Sequence, residues 1–122
     1  MGRSSMPPEV RETVMSRNGG RCEPQVSPHC AKYASEWHHR KMRSQLGPDT
    51  IPNGLAVCPA CHRYIHRHPE ESYDKGYLVR SHYDEDSVPV LLPTRFFGRR
   101  WQILTPTGDY TPTAPPPERS PK

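Results

Sequence analysis

Two short stretches hold most of the residues that could do chemistry. Residues 36–41 read EWHHRK, and residues 58–66 read CPACHRYIH. Cys58 and Cys61 form a C-x2-C pair, and Cys22 and Cys30 form a C-x7-C pair upstream. A C-x2-C turn aims two thiolates at one tetrahedral ion. Two such half-sites close the shell of a structural zinc and leave no position open. The alternatives are unpaired thiols or a Cys58–Cys61 disulfide of the redox type. His29 adjoins Cys30, but four thiols already suffice. His62 and His66 lie four residues apart. On a helix they share one face, so both imidazoles can grip one ion. Alone, such a pair is also what a wet helix face shows, and Arg63 and Arg67 make one face of this helix wet.

The elements that must position these groups have little core to work with. The chain has 122 residues, 16 of them proline, and only 32% are hydrophobic. One domain is expected, with a thin core that needs a staple, and the four cysteines can supply it. No apolar run reaches the ~18 residues of a membrane span, and the opening MGRSSMPPEVRE has no apolar signal-type stretch, so a soluble, cytoplasmic protein is expected. The formal charge is +4 with a pI near 9.0, which suits a polyanionic partner.

Residues 1–6 read as disordered. A helix is predicted from Pro7, favoured by Pro7 and Pro8 at its start and Glu9 in its first turn, and stopped by Asn18-Gly19-Gly20. RCEPQVSPHC reads as a knuckle loop. SEWHHRK is a candidate strand, with Trp37 directed to the core, and the loop MRSQLGPDTIPNG follows it. LAVC is a second strand, with Leu55 and Val57 on one face. PACHRYIHRH is a helix closed by Pro69. Residues 70–110 read as an appended segment with a β-hairpin, whose core would be Phe96, Phe97 and Trp101. Residues 111–122 read as a proline-rich disordered tail.

Arg21-Cys22, EWHHR and PNGLAVCPACHRYIH together resemble the HNH endonucleases, a branch of the ββα-metal nucleases. The resemblance covers residues 7–69. It is nearest to the small free-standing proteins of bacteria and their phages that carry a four-cysteine knuckle. It implies a small α+β fold: a ββα-metal (His-Me finger) core stapled by Cys22, Cys30, Cys58 and Cys61, with an N-terminal helix and a C-terminal hairpin. It implies His38 as metal ligand, His39 as general base, and Asn53 as the brace between the strands. It also implies His62 and His66 as further ligands of the catalytic ion, and Glu36 as an acceptor that orients a ligating ring. The sequence departs from the family's common pattern twice. The loop after the histidine pair reads LGPD where Gly-Gly is frequent, and His38 stands where many members have aspartate.

The implied activity is metal-dependent hydrolysis of DNA phosphodiesters, as nicks or double-strand cuts. A neutral imidazole with a pKa near 6.5 can take a proton from water near neutral pH, but not while its lone pair is spent on a metal. The adjacent rings should therefore differ, one bound and one free. The ion would face a phosphate oxygen and the leaving 3′-oxygen. Three imidazoles favour Zn2+, Ni2+, Co2+ or Mn2+, while supply can select Mg2+, so its identity stays open. Double-stranded DNA is the implied partner, gripped by Arg40, Lys41, Arg43, Arg63 and Arg67. A phage terminase is the second partner that the resemblance brings in, and a bacterial cytoplasm the implied location. The rival reading is a non-catalytic zinc-knuckle module that binds DNA or displays its tail.

Overall fold

The computed structural model describes residues 6–117; the expectations for residues 1–5 and 118–122 lie outside that range. Helix α1 runs Pro8–Ser16, with Pro7 as its N-cap and Glu9 in the first turn. Gly19 and Gly20, both at positive φ, turn the chain out of it. Strands β1 (Glu36–His39) and β2 (Gly54–Val57) pair antiparallel, with His38 opposite Leu55 and His39 opposite Gly54. A Cβ on Gly54 would sit 2.2 Å from the Trp37 ring, so only glycine lets the indole lie across the hairpin. Helix α2 (Pro59–Arg67) follows at once, and only His68 separates it from α3 (Pro69–Lys75). Pro69 starts a new helix here as well as closing the old one.

β2 is buried along its whole length because it is packed from both sides. Ala56 meets Val14 of α1 and Trp37. Leu55 and Val57 point the other way, into a cluster with Cys61 and Ile65 of α2. Tyr77, Leu78, Val90, Leu92 and Leu104 complete that cluster. Each fully buried aliphatic side chain contributes about 1.5–3 kcal/mol, so this one strand organises much of the core.

The C-terminal part holds the expected hairpin, β3 (Val90–Pro93) with β4 (Arg99–Leu104), and adds to it. It is a three-stranded antiparallel sheet of β3, β4 and β5 (Tyr110–Pro112), so the strands reach into what reads as tail. It also packs against the rest of the chain. Its inward residues complete the cluster under β2, because the 7–69 segment has too few apolar side chains to close that core alone.

A buried carboxylate joins the ends of this architecture. Glu23 is 1% exposed. It accepts two bonds from Arg17, at 2.7 and 2.8 Å, one from the Ala56 amide at 2.8 Å, and one from the Tyr110 hydroxyl of β5.

Arg40 corrects a sequence expectation. Predicted at the DNA surface, it is fully buried. Its guanidinium donates to the carbonyls of Gly76, Pro52, Glu85 and Val88. Burial pulls its pKa down to about 9, so it stays charged at neutral pH. Alternation along β1 directs it inward, where it ties the β1–β2 loop to the segment after α3. Replacing it with alanine strands four buried carbonyls. We expect a loss of at least about 3 kcal/mol, read as a lower urea midpoint.

Candidate active site and zinc knuckle

Cys22, Cys30, Cys58 and Cys61 come together with their ligand atoms within 4.8 Å of one another, and all four are free thiols. The Cys58 and Cys30 sulfurs are 3.9 Å apart. Tetrahedral zinc with Zn–S bonds of about 2.3 Å sets sulfurs about 3.8 Å apart, so the spacing fits. Backbone amides of Val26 and Ser27 point at Cys61 Sγ, that of Ala31 at Cys58 Sγ, and that of Cys58 at Cys22 Sγ. These donors favour thiolates. Without a cation the thiols compete. The hydrogen bond with Cys22 pulls Cys61 down, and the same bond, followed by burial, pushes Cys22 up. A divalent ion is what would let all four ionise together. Cys58 also caps α2, accepting from the Cys61 amide. The knuckle therefore sets where α2 starts.

His62 and His66 lie on one face of α2, and that face meets β1 at His38. The three rings lie 5.1–5.3 Å apart, centroid to centroid, with candidate ligand atoms within 4.8 Å. Hydrogen-bond partners fix two of the tautomers. His38 Nε2 donates to the Tyr77 carbonyl at 2.7 Å, because a carbonyl can only accept, and Nδ1 keeps its lone pair. His62 Nδ1 donates to Glu36 Oε1 at 2.8 Å and leaves Nε2 for a metal. Burial, the largest cause, pulls His38 down to about 3, so it is neutral wherever a metal could use it. His66 is lowered by burial and then by His62. Three imidazoles are a set suited to a borderline divalent ion.

His39 stands apart from this cluster. Strand alternation puts it on the face of Trp37, whose ring it meets edge-on at 4.7 Å. Its Nε2 donates to Asp49 Oδ1 at 2.7 Å, which leaves Nδ1 with a lone pair and no metal cluster to spend it on. Asp49 is placed by the loop. Asn53 Oδ1 accepts the Lys41 amide at 2.7 Å, and its Nδ2 donates to the carbonyls of Lys41 and Pro48, at 3.0 and 2.9 Å. One buried side chain thus clamps both ends of the turn, and Asp49 follows directly. Gly47 lets the turn close, since a Cβ there would sit 1.6 Å from the Lys41 carbonyl oxygen. Arg43 Nη2 contacts both Asp49 oxygens, at 3.2 and 3.4 Å.

Sequence reading missed Asp49. The signal was there, in LGPD where the related pattern often has Gly-Gly. Among the basic residues expected on DNA, Arg63 and Arg67 are exposed on α2 and Arg43 is half-exposed. Lys41 is not available. Its ammonium binds the Tyr83 carbonyl and the Glu85 carboxylate, the latter at 3.0 Å, with a side chain 12% exposed. Phe96 and Phe97, expected in a hairpin core, are 78% and 69% exposed. They sit at the turn itself, beyond the paired strands, where nothing can cover them. His68 and His82 are exposed.

Residues 20–68 match the family model described as HNH endonuclease. No curated protein and no solved structure gives a significant match. The match spans all four cysteines, the histidine cluster, His39 and Asn53, and no helix among the described residues is long and apolar enough to cross a membrane. Over residues 20–68 the chain is similar to the HNH endonuclease family, whose members are generally nucleases acting on DNA.

Proposed function

We propose that this protein is a divalent-metal-dependent endonuclease that cuts double-stranded DNA, with His39 as the general base. The division of the histidine pair carries the reading: His38 joins His62 and His66, while His39 faces away with a free Nδ1. A divalent ion held by His38 Nδ1, His62 and His66 would neutralise charge developing on the scissile phosphate and its leaving 3′-oxygen.

The chain's own residues do the rest. His39 Nδ1 takes a proton from the attacking water as it bonds to phosphorus. Asp49, accepting from Nε2, stabilises the imidazolium that forms and holds the ring in the tautomer that exposes Nδ1. Asn53 keeps the loop that presents Asp49 in register with β1. Glu36 keeps His62 in its ligating tautomer. The four-cysteine knuckle, read as a structural zinc site, holds the first turn of α2 and so fixes the distance from β1 to His62 and His66. The products would carry 5′-phosphate and 3′-hydroxyl ends.

The test is nicking of supercoiled plasmid by purified protein with Mg2+, Mn2+, Ni2+ or Zn2+ added singly. Conversion to open-circular or linear DNA, abolished by a chelator, supports the reading. Failure with every metal, in protein shown to hold its knuckle zinc, sinks it.

Arg63 and Arg67 extend from the exposed side of α2 and would meet phosphates near the ion. Changing both to glutamine should weaken binding to all DNA sequences alike and reduce the slope of log K against log salt by about 2. Arg40→Lys should leave that slope unchanged, since its guanidinium never reaches the surface.

A further inference from the structure

We infer that the tip of the β3–β4 hairpin is a second DNA-binding element, an apolar wedge flanked by phosphate-binding arginines. The inference rests on the nuclease reading only for its choice of polyanion. The starting observation is a cost with no structural return. Phe96 and Phe97 are bare, yet the turn that carries them is tied down. The Thr94 amide and hydroxyl both donate to the Gly98 carbonyl at 2.7 Å, and the Phe97 amide donates to Thr94 Oγ1 at 3.0 Å. Gly98, at φ +70°, makes the tight return. The two rings are set at 76° to each other, with centroids 6.5 Å apart. A turn this constrained presents its phenyl groups in one pose rather than letting them fold back.

The surroundings select the partner. Arg95 lies over Phe96 at 5.6 Å, and Arg100 over Phe97 at 5.5 Å. From Val88 to Gly108 the sequence has three arginines and no acidic residue. Arg99 serves as the mount. It donates to the carbonyls of Pro24 and Gln25, at 2.8 and 2.6 Å, and so braces the hairpin against the cysteine knuckle that also starts α2. Exposed aromatic side chains between guanidinium groups match a partner with stackable faces and regular negative charge. Apolar residues wedged between base steps, with basic residues on the flanking phosphates, are a known way of gripping a duplex. Behind the tip, Leu91, Phe97, Arg100, Trp101, Pro112 and Pro115 line a groove of about 490 Å³, where a displaced backbone could rest.

The experiment measures binding in the His39→Ala background, so that no cleavage intervenes and the result does not depend on whether the protein cuts. Phe96→Ala/Phe97→Ala should bind linear duplex at least about tenfold more weakly, with zinc content and unfolding midpoint kept. A fluorescent base analogue in the duplex should brighten with the parent protein and not with the double variant. Arg95→Gln/Arg100→Gln should lower the salt slope by about 2. Unchanged duplex affinity in the phenylalanine variant overturns the inference. So does a loss confined to single-stranded DNA. A parent protein that is dimeric, with a monomeric variant of equal DNA affinity, would assign the tip to pairing of copies and overturn it too.

Discussion

His39→Ala is expected to reduce DNA cleavage by between about 10²- and 10⁴-fold while leaving both metal sites loaded and DNA affinity intact. The side chain belongs to neither ligand cluster, so its loss removes a proton acceptor and no bond to an ion. It is partly exposed at a strand end, so the fold should tolerate the change. His38→Ala should read differently. It removes a ligand and strands the Tyr77 carbonyl, so metal uptake and stability fall together. Asp49 supplies a graded version of the same experiment. Asp49→Ala frees the His39 ring to rotate and change tautomer, and about 10- to 100-fold should be lost in kcat with little change in KM. Asp49→Asn still offers an oxygen to Nε2–H, and should recover part of the loss. Equal kcat values for wild type and Asp49→Ala would show that the ring is held by its contact with Trp37 alone.

The second large effect concerns the knuckle. Cys58→Ser, or prolonged treatment with a strong chelator, is expected to unfold the protein rather than merely silence it. Structural zinc contributes on the order of 10–16 kcal/mol in small zinc-dependent folds, more than the whole net stability of a typical domain. The expected signs are loss of cooperative melting and of helical circular dichroism. Metal analysis should find two ions in wild type, one tight and one removable, and none retained in Cys58→Ser. His62→Ala/His66→Ala should lose only the removable ion. Equal metal content in Cys58→Ser and wild type would count against the four-cysteine site.

The parts legible from sequence were those where spacing alone fixes geometry. Cys58-x2-Cys61 and His62-x3-His66 needed only a turn and a helix. Pro59 and the hydrophobic alternation of Leu55 and Val57 gave the start of α2 and the facing of β2. What spacing could not give was the use of long polar side chains. Arg40 reads as a surface cation from its neighbours in EWHHRK, yet four carbonyls from three distant segments make burial the better place for it. No local pattern records such partners. Asp49 was hidden for a similar reason, since its acceptor role depends on the path of a loop that Asn53 closes. Phe96 and Phe97 misled because apolar character was read as burial, when a hairpin turn has no inside. α3 went unseen because Pro69 works equally well as a stop and as a first helical residue.

The bond network around Glu23 bears on how such a protein could be cut and recombined. Arg17 precedes the family-matched segment and Tyr110 lies far beyond its end, yet both finish on one carboxylate within it. Removing either flank would leave an anionic oxygen sealed from water with part of its coordination gone. The family-matched segment is thus no cassette that could be lifted out and spliced into a new host chain. In recombination it should travel with its flanks or arrive unfolded, and inheritance of this chain is in effect all or nothing.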